Sequence, residues 1–300
     1  MGPQFTFSQH VKMNLKSLFA SKKCVVSFEL FPPKSDAGVA DLMKTVCELA
    51  VHRPDFFTCT YGAGGSTRDR TMHIAAGVKR EHGIPVASHL TCVGSTREQL
   101  RNYLNSAREN GIDYIVALRG DPPKGETTFT AVDGGLSYAN ELVEMLRAEF
   151  PEFGIAVAGY PEVHQEAPNA AVDLINLKRK VDAGADVIVT QLFYDNDDFF
   201  RFRDRCVAVG ISIPIVPGIL PVLSLSQVQR IATLCKARLP AEFVEKLTTQ
   251  REDVGQFAVG VEHARKQVQG LLNAGVPGIH LYVLNKSTAT NQILTSVTGL

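Results

Sequence analysis

The 300-residue sequence has no tryptophan and no net charge, its 31 basic side chains being balanced by 31 acidic ones. A nucleic-acid groove or a polybasic membrane contact needs a basic footprint, and this balance speaks against both. Local basic clusters can still hold a small anion. Six cysteines, at 24, 47, 59, 92, 206 and 235, lie far apart with no C-x-x-C pair. They read as reduced thiols, not as a disulfide framework or zinc ligands. Nothing approaches the ~18 uncharged apolar residues of a membrane span, and Met1–Ala20 lacks the continuous apolar core of a secretory leader. A soluble, cytoplasmic protein is expected. Also missing are an H-x-x-x-H or comparable metal-ligand spacing, low-complexity tracts, and a glycine-rich fingerprint after the first strand.

What is present is a beat. Apolar residues make up 45% of the chain, enough for a sizeable core. Strand-like and helix-like segments alternate at roughly 30-residue spacing, the rhythm of βα units. After a helical lead-in over 8–21, strands are predicted at 25–31, 55–61, 86–91, 114–119, 155–159, 186–192, 213–217 and 279–283. Helices fill the gaps at 37–52, 68–82, 96–110, 136–149, 169–183, 197–209, 225–237 and 288–298. Ser95-Thr96-Arg97-Glu98 resembles a capping box with Ser95 as the cap. Gly83, Gly111, Gly184 and Gly210 each close a helix just before a strand. Residues 240–278 look like a helical insertion ahead of the last strand. Eight βα units favour a (β/α)8 TIM barrel over an open doubly wound sheet, whose first strand usually leads into a Gly-rich turn. Here that position is Phe31-Pro32-Pro33-Lys34. Residues 1–300 are expected to form a single domain.

Such barrels build their sites at the C-terminal ends of the strands. Those ends carry Glu29, Thr60-Tyr61, His89 to Thr91, Arg119-Gly120-Asp121, Tyr160 with His164, Gln191, Gly218 and Tyr282-Asn285-Lys286. Glu29 is the informative member, a carboxylate inside Val25-Val26-Ser27-Phe28-Glu29-Leu30-Phe31. Ser27 and Glu29 share one strand face, while Val26, Phe28 and Leu30 share the other. Two readings stand: a buried carboxylate paired with an arginine, or a general acid whose pKa is raised by its apolar strand. Asp121 is either a turn residue before Pro122-Pro123 or a second carboxylate opposite Glu29, with Ala117, Arg119 and Asp121 on one face. Gln191 either caps a loop or offers a donor and an acceptor to an amide-like ring edge. His89 and His164 are read as hydrogen-bonding groups rather than metal ligands. Gly62-Ala63-Gly64-Gly65-Ser66-Thr67 lacks a P-loop ending and reads as a mouth loop. Asn176-Leu177-Lys178-Arg179-Lys180 is a solvated basic helix face or a cation source for a diphosphate.

At these residues the chain resembles the methylenetetrahydrofolate reductase family. The resemblance rests on Ser27 to Lys34, Thr60 to Ala63, Arg68 to Thr71, His89 to Cys92, Ala117 to Asp121, Tyr160 to His164, Asn176 to Lys180, Thr190 to Asp195 and Gly218 to Pro221. It implies an FAD-binding (β/α)8 catalytic domain that reduces 5,10-methylenetetrahydrofolate to 5-methyltetrahydrofolate with NADH or NADPH. That reaction supplies, or in reverse consumes, methyl groups of one-carbon and methionine metabolism. By resemblance Thr60, His89, Arg119, Gly120, Asp121, Tyr138, Tyr160, His164, Asp173, Asn176, Arg179 and Lys180 contact FAD. Glu29, Asp121 and Gln191 meet the folate, with Glu29 as general acid and Asp121 stabilising a substrate cation.

Two positions depart from the family pattern. Leu225 stands where a phenylalanine often packs against substrate or nicotinamide, and keeps apolar contact without the aromatic face. Lys286 stands where an arginine often meets the folate tail, and gives a point charge for a bidentate fork. The resemblance further implies a homo-oligomer of bacterial type, without the C-terminal regulatory domain of eukaryotic relatives. Two rivals are weighed. A Schiff-base lyase would want an inward lysine on a strand, and the predicted strands carry none. A folate-binding partner subunit using another electron donor would not need Glu29, Asp121 and Gln191 intact.

Overall fold

The computed structural model describes residues 14–61, 68–122, 125–126 and 128–300. The predicted glycine loop at 62–67, positions 8–13 of the lead-in helix, and Pro123 lie outside the described residues.

The order of elements follows the βα beat. Helix α1 (Leu15–Ser21) precedes β1 (Val25–Leu30), α2 (Asp36–Ala50), β2 (Phe56–Cys59) and α3 (Arg68–His82). Next come β3 (Val86–Thr91), α4 (Arg97–Glu109), β4 (Tyr114–Leu118), α5 (Ala139–Glu149) and β5 (Gly154–Gly159). Then follow α6 (Ala170–Asp182), β6 (Val187–Thr190), α7 (Asn196–Ala208), β7 (Ile215–Val216) and β8 (Gly218–Ile219). The chain finishes with α8 (Leu225–Cys235), α9 (Ala241–Thr249), α10 (Asp253–Asn273), β9 (Gly278–Tyr282) and α11 (Thr288–Ser296). All strand pairs are parallel, in the order β7-β6-β5-β4-β3-β2-β1-β9-β8. The strand predicted at 213–217 contains β7; Pro217, which has no N–H for a ladder, breaks the run, and β8 extends it past the predicted end. β7 pairs with β6 and β8 with β9, so the two ends of the order meet and the barrel closes.

Period-two alternation divides each strand between two cores. Val25, Phe56, Ala87, Tyr114, Val116, Ala156, Val187 and Val216 pack inside the barrel. Leu15, Leu18 and Phe19 of α1 join them and plug the N-terminal end. Phe28, Leu30, Phe57, Leu90, Ile115, Val157 and Ile279 pack outward against the helices. Asn14 starts α1 by accepting a hydrogen bond from the Ser17 N–H (2.7 Å).

Three aspartates set the register at that same end. Asp55, Asp113 and Asp186 each precede a strand and accept a backbone N–H from the first or second residue of the preceding strand: Val26 (2.9 Å), Val86 (3.0 Å) and Ile155 (2.8 Å). Asp113 also takes Lys79 Nζ at 2.7 Å and Asp186 takes Arg147 at 2.6 Å. Slipping a strand by one residue would strand both a buried N–H and a carboxylate, a costly outcome.

Two sequence expectations shift. The capping box is one residue later, with Thr96 as cap and Gln99 as its partner, because Ser95 turns inward to accept a hydrogen bond from Arg68 (2.7 Å). The insertion is not 240–278. Val261, Ala264, Val268 and Leu271 of α10 recur at helical spacing and pack in the main core, so α10 belongs to the outer helix ring. The true excursion is α8 with α9, which forms a satellite cluster over Leu192, Tyr194, Leu220 and Val222 at the C-terminal ends of the strands. The four predicted helix-ending glycines all have φ between 66° and 115°. All six cysteines are unpaired thiols. Among the described residues no helix is long and apolar enough to cross a membrane.

Candidate active site

The barrel opens at its C-terminal end into a cavity of about 320 Å³. Glu29, His89, Arg119, Gly120, Asp121, Tyr160, His164 and Gln191 line it, with Tyr61, Thr91 and Tyr282, all residues read from the strand ends. So do Thr58 and His280, brought in by strands β2 and β9. A second cavity of about 550 Å³ shares Leu118, Arg119, Ala158, Tyr160 and His164 with the first. It runs outward past Tyr138, Asp173, Asn176, Arg179 and Lys180. The two form one continuous cleft, deep at Glu29 and basic along α6.

Glu29 is 7% exposed, and its neighbours converge on one oxygen. Oε2 lies 3.3 Å from His89 Nε2 and 3.4 Å from His280 Nε2, and accepts the Thr58 hydroxyl at 3.4 Å. Ser27 Oγ hydrogen-bonds His280 Nδ1 at 2.8 Å. The strand register explains the grouping, because Glu29 pairs with Thr58 on one side while Ser27 pairs with His280 on the other. Burial pushes the Glu29 carboxyl up, yet the two imidazoles outweigh it and hold it low, at about 2. This reverses the expectation of a raised pKa, and the partners are histidines rather than an arginine. The apolar strand supplied the only signal in the sequence, and the imidazoles come from strands far away in it.

Asp121 reaches the cavity by a different route from the one alternation suggested. β4 ends at Leu118, and Ala117 packs outward against the helices. Gly120 then turns the chain at φ +89°, with Val93 so near that a Cβ would sit 2.7 Å from its Cγ1. Asp121 therefore enters from the loop, not from the strand face. Gln191 accepts the Leu192 N–H through its own Oε1 (2.9 Å), which orients the amide at the rim. Arg119 grips both oxygens of Glu166 (2.7 and 2.5 Å) and lies over the Phe129 ring, 4.9 Å from its centre. Glu166 was not anticipated, since it stands in a loop with no periodic signal.

In the outer cleft, Tyr160 and His164 meet edge to face at 4.6 Å. Asp173 accepts the His164 backbone N–H (3.0 Å). Arg179 bonds the neutral Asn176 (3.2 Å) and Lys180 bonds the Ala158 carbonyl (2.5 Å). Among the described residues neither cation has a carboxylate within 4 Å. Burial lowers Lys180 to about 8. Tyr138, the cap of α5, is 61% exposed beside them. Three predicted residues lie outside the lining of both cavities. Thr60 donates its N–H to Leu30 O and accepts the Thr71 hydroxyl at its carbonyl. Leu225 opens α8 and packs in the satellite cluster. Lys286 is exposed beyond β9.

The sequence profile of the methylenetetrahydrofolate reductase family matches residues 14–298. The chain belongs to that family. It is 40% identical over 290 residues to 5,10-methylenetetrahydrofolate reductase of Escherichia coli, covering 96% of each chain. It is 43% identical over 273 residues to the corresponding protein of Pectobacterium carotovorum, covering 89% of this chain and 88% of that one. Methylenetetrahydrofolate reductase (NADH) 1 of Arabidopsis thaliana is 40% identical over 291 residues, which are 93% of this chain and 49% of the plant protein. The chain thus spans about half the length of the plant relatives it matches. The fold is shared with a Clostridium thermocellum protein described as binding two copies of 5-methyl-5,6,7,8-tetrahydrofolic acid, at a TM-score of 0.67, 13% identity and coverage of 94% and 96%. The cleft lies at the C-terminal ends of the strands, the face on which (β/α)8 barrels build their sites.

Proposed function

We propose that residues 1–300 form one FAD-binding catalytic barrel that reduces 5,10-methylenetetrahydrofolate to 5-methyltetrahydrofolate with NADH or NADPH. The observation that carries the proposal is the continuous cleft, in which a deep carboxylate pocket opens into a gutter whose two cations hydrogen-bond only neutral groups. Arg179 and Lys180, bonded only to neutral groups, suit an anionic diphosphate. The exposed Tyr138 ring offers a platform for a purine, and Asp173, Asn176 and His164 supply polar edges. These residues fit FAD. Bound there, FAD would pass hydride from the pyridine nucleotide to the folate.

The chain's own residues do the rest. Gln191 holds the pterin edge through its free amide nitrogen, and in turn the nicotinamide. Asp121 stands at the mouth to offset the positive charge that develops when the folate ring opens. Glu29 delivers the proton that the departing nitrogen needs. His89 and His280 hold that carboxyl low, and both face its Oε2 as the neighbours that pass it the proton. A folate tail leaving the cavity could meet Lys286 on the surface. A homo-oligomer in the cytoplasm is the setting this reading implies.

Purified protein should carry flavin absorption, bleached anaerobically by NADH or NADPH and restored by methylenetetrahydrofolate. Protein that stays colourless after reconstitution with FAD would sink the proposal. Parallel reduction with each nucleotide decides the donor.

A further inference from the structure

One titratable side chain in the cavity has no task so far. His280 sits in the middle of β9, only 1% exposed, with Ser27 on its Nδ1 and Glu29 on its Nε2. We infer that His280 is the positioning residue that stores the proton Glu29 delivers, and that Ser27 fixes which imidazole nitrogen carries it. This rests on the reading of the cavity as the place of folate reduction.

The argument is geometric. A buried carboxylate that must give up a proton in every turnover needs a resupply that does not depend on free water. His280 and His89 both face Oε2, from opposite sides. His89 lies at the cavity and would be crowded by bound ligands. His280 is the more enclosed of the two, 1% exposed against 9% for His89, on the strand that pairs with β1. Ser27 Oγ pairs with Nδ1 at 2.8 Å; in the imidazolium form Nδ1–H donates to that hydroxyl, and Nε2, which faces Oε2, is the nitrogen placed to gain and lose a proton. The other titratable groups around the pair do not compete. Cys59 on β2 is raised by burial and stays a thiol. Tyr282, edge to face with His280 at 5.1 Å, is raised well above its ordinary value by burial and by the Glu29 charge, with Tyr160 and Cys235 adding to that. Asp121 stands across the mouth.

The step balances. The Nε2–H bond of imidazolium His280 breaks and its proton passes to Glu29 Oε2, leaving neutral Nδ1–H imidazole. As the ring opens, the electron pair of the breaking C–N bond stays on nitrogen, which takes that proton from the Glu29 carboxyl and leaves a carboxylate. Solvent returns one proton to Nε2 per turnover, matching the hydride that the pyridine nucleotide supplies.

The test compares His280→Gln and Ser27→Ala with the parent enzyme in single-turnover reoxidation by methylenetetrahydrofolate, from about pH 6 to 9 around the histidine range. His280→Gln should slow this half-reaction about 10- to 100-fold, at or below the range for losing a general acid, and should remove the histidine inflection from its pH profile. Ser27→Ala should move the inflection, and Ser27→Thr should restore it. Reduction by NADH should change by less than about twofold in all three, because hydride arrival at the flavin needs no proton from Glu29. In 15N-histidine spectra of the ligand-free protein, the His280 resonances should shift their titration in Glu29→Gln. A His280→Gln profile that merely scales down in parallel with the parent overturns the inference, as does an unmoved inflection in Ser27→Ala if the histidine variant does not fold. If the parent enzyme itself shows no reoxidation by folate, the functional proposal falls, and this inference with it. A parallel profile with an active parent overturns the inference alone.

Discussion

Replacing Gly218 by alanine places a methyl group where the barrel closes. Gly218 begins β8, directly after the break at Pro217, and its backbone runs hard against β6 and β9. A Cβ there would lie 2.3 Å from the Thr190 carbonyl oxygen, 2.7 Å from Tyr282 Cε2 and 2.8 Å from its hydroxyl. The carbonyl is backbone and cannot swing aside. Relief must come from pushing β8 away, which strains two hydrogen bonds: Gly218 N–H to Thr190 Oγ1 (2.9 Å) and Tyr282 OH to Thr190 O (2.7 Å). Overpacking costs about 1–3 kcal/mol and each of the two weakened hydrogen bonds about 0.5–1 kcal/mol, giving roughly 2–5 kcal/mol in total. For a chain of this length that is about 1.5–2 °C of Tm per kcal/mol, hence a fall of roughly 3–10 °C. Calorimetry reads the loss directly. Because Tyr282 packs edge to face on His280, the folate half-reaction should slow as well. A Gly218→Ala protein melting within about 1 °C of the parent would show that the closure yields freely and that the reasoning from close approach fails.

Glu29→Gln should reduce folate turnover by about 10²- to 10⁴-fold while leaving flavin reduction nearly intact; equal collapse of both half-reactions would make Glu29 structural. The same carboxyl carries a pH signature. Its folded pKa is held below the unfolded value, so it stabilises the fold above about pH 4.5 and that contribution is lost as pH falls toward 2. Acid unfolding of the parent should therefore be steeper than that of Glu29→Gln across this window, and curves of equal slope would refute the pairing. Lys180, lowered to about 8, is charged below that pH and neutral above it. FAD affinity, read by fluorescence quenching, should weaken as pH rises through 8, and Lys180→Arg should flatten the dependence. Asp113→Asn should cost about 2–4 kcal/mol in urea unfolding, since it leaves Lys79 without its partner and weakens the hold on the Val86 N–H.

Much of the barrel was legible along the chain. The predicted strands 86–91 and 114–119 lie within a residue of β3 and β4, because apolar alternation and the glycines that end helices are local signals. The insertion was misplaced because a helix that lines the barrel and one that leaves it carry similar amphipathic stripes, and only contact with the main core tells α10 from α9. Of the strand-end residues, eleven line the deep cavity, since position at a strand end is also local. Asp121 was found for an incomplete reason, as the turn at Gly120 and not strand alternation carries it there.

His280 marks the boundary between the two kinds of knowledge. Residue order alone determined the βα rhythm, the strand that holds Glu29 and the face it shares with Ser27, because each depends on neighbours a few positions away. Only the closed barrel set His280, 251 residues distant, against that carboxylate and made it an ionised acceptor. Charge interactions act through space, and the parallel register of β1 with β9 decides which groups share that space.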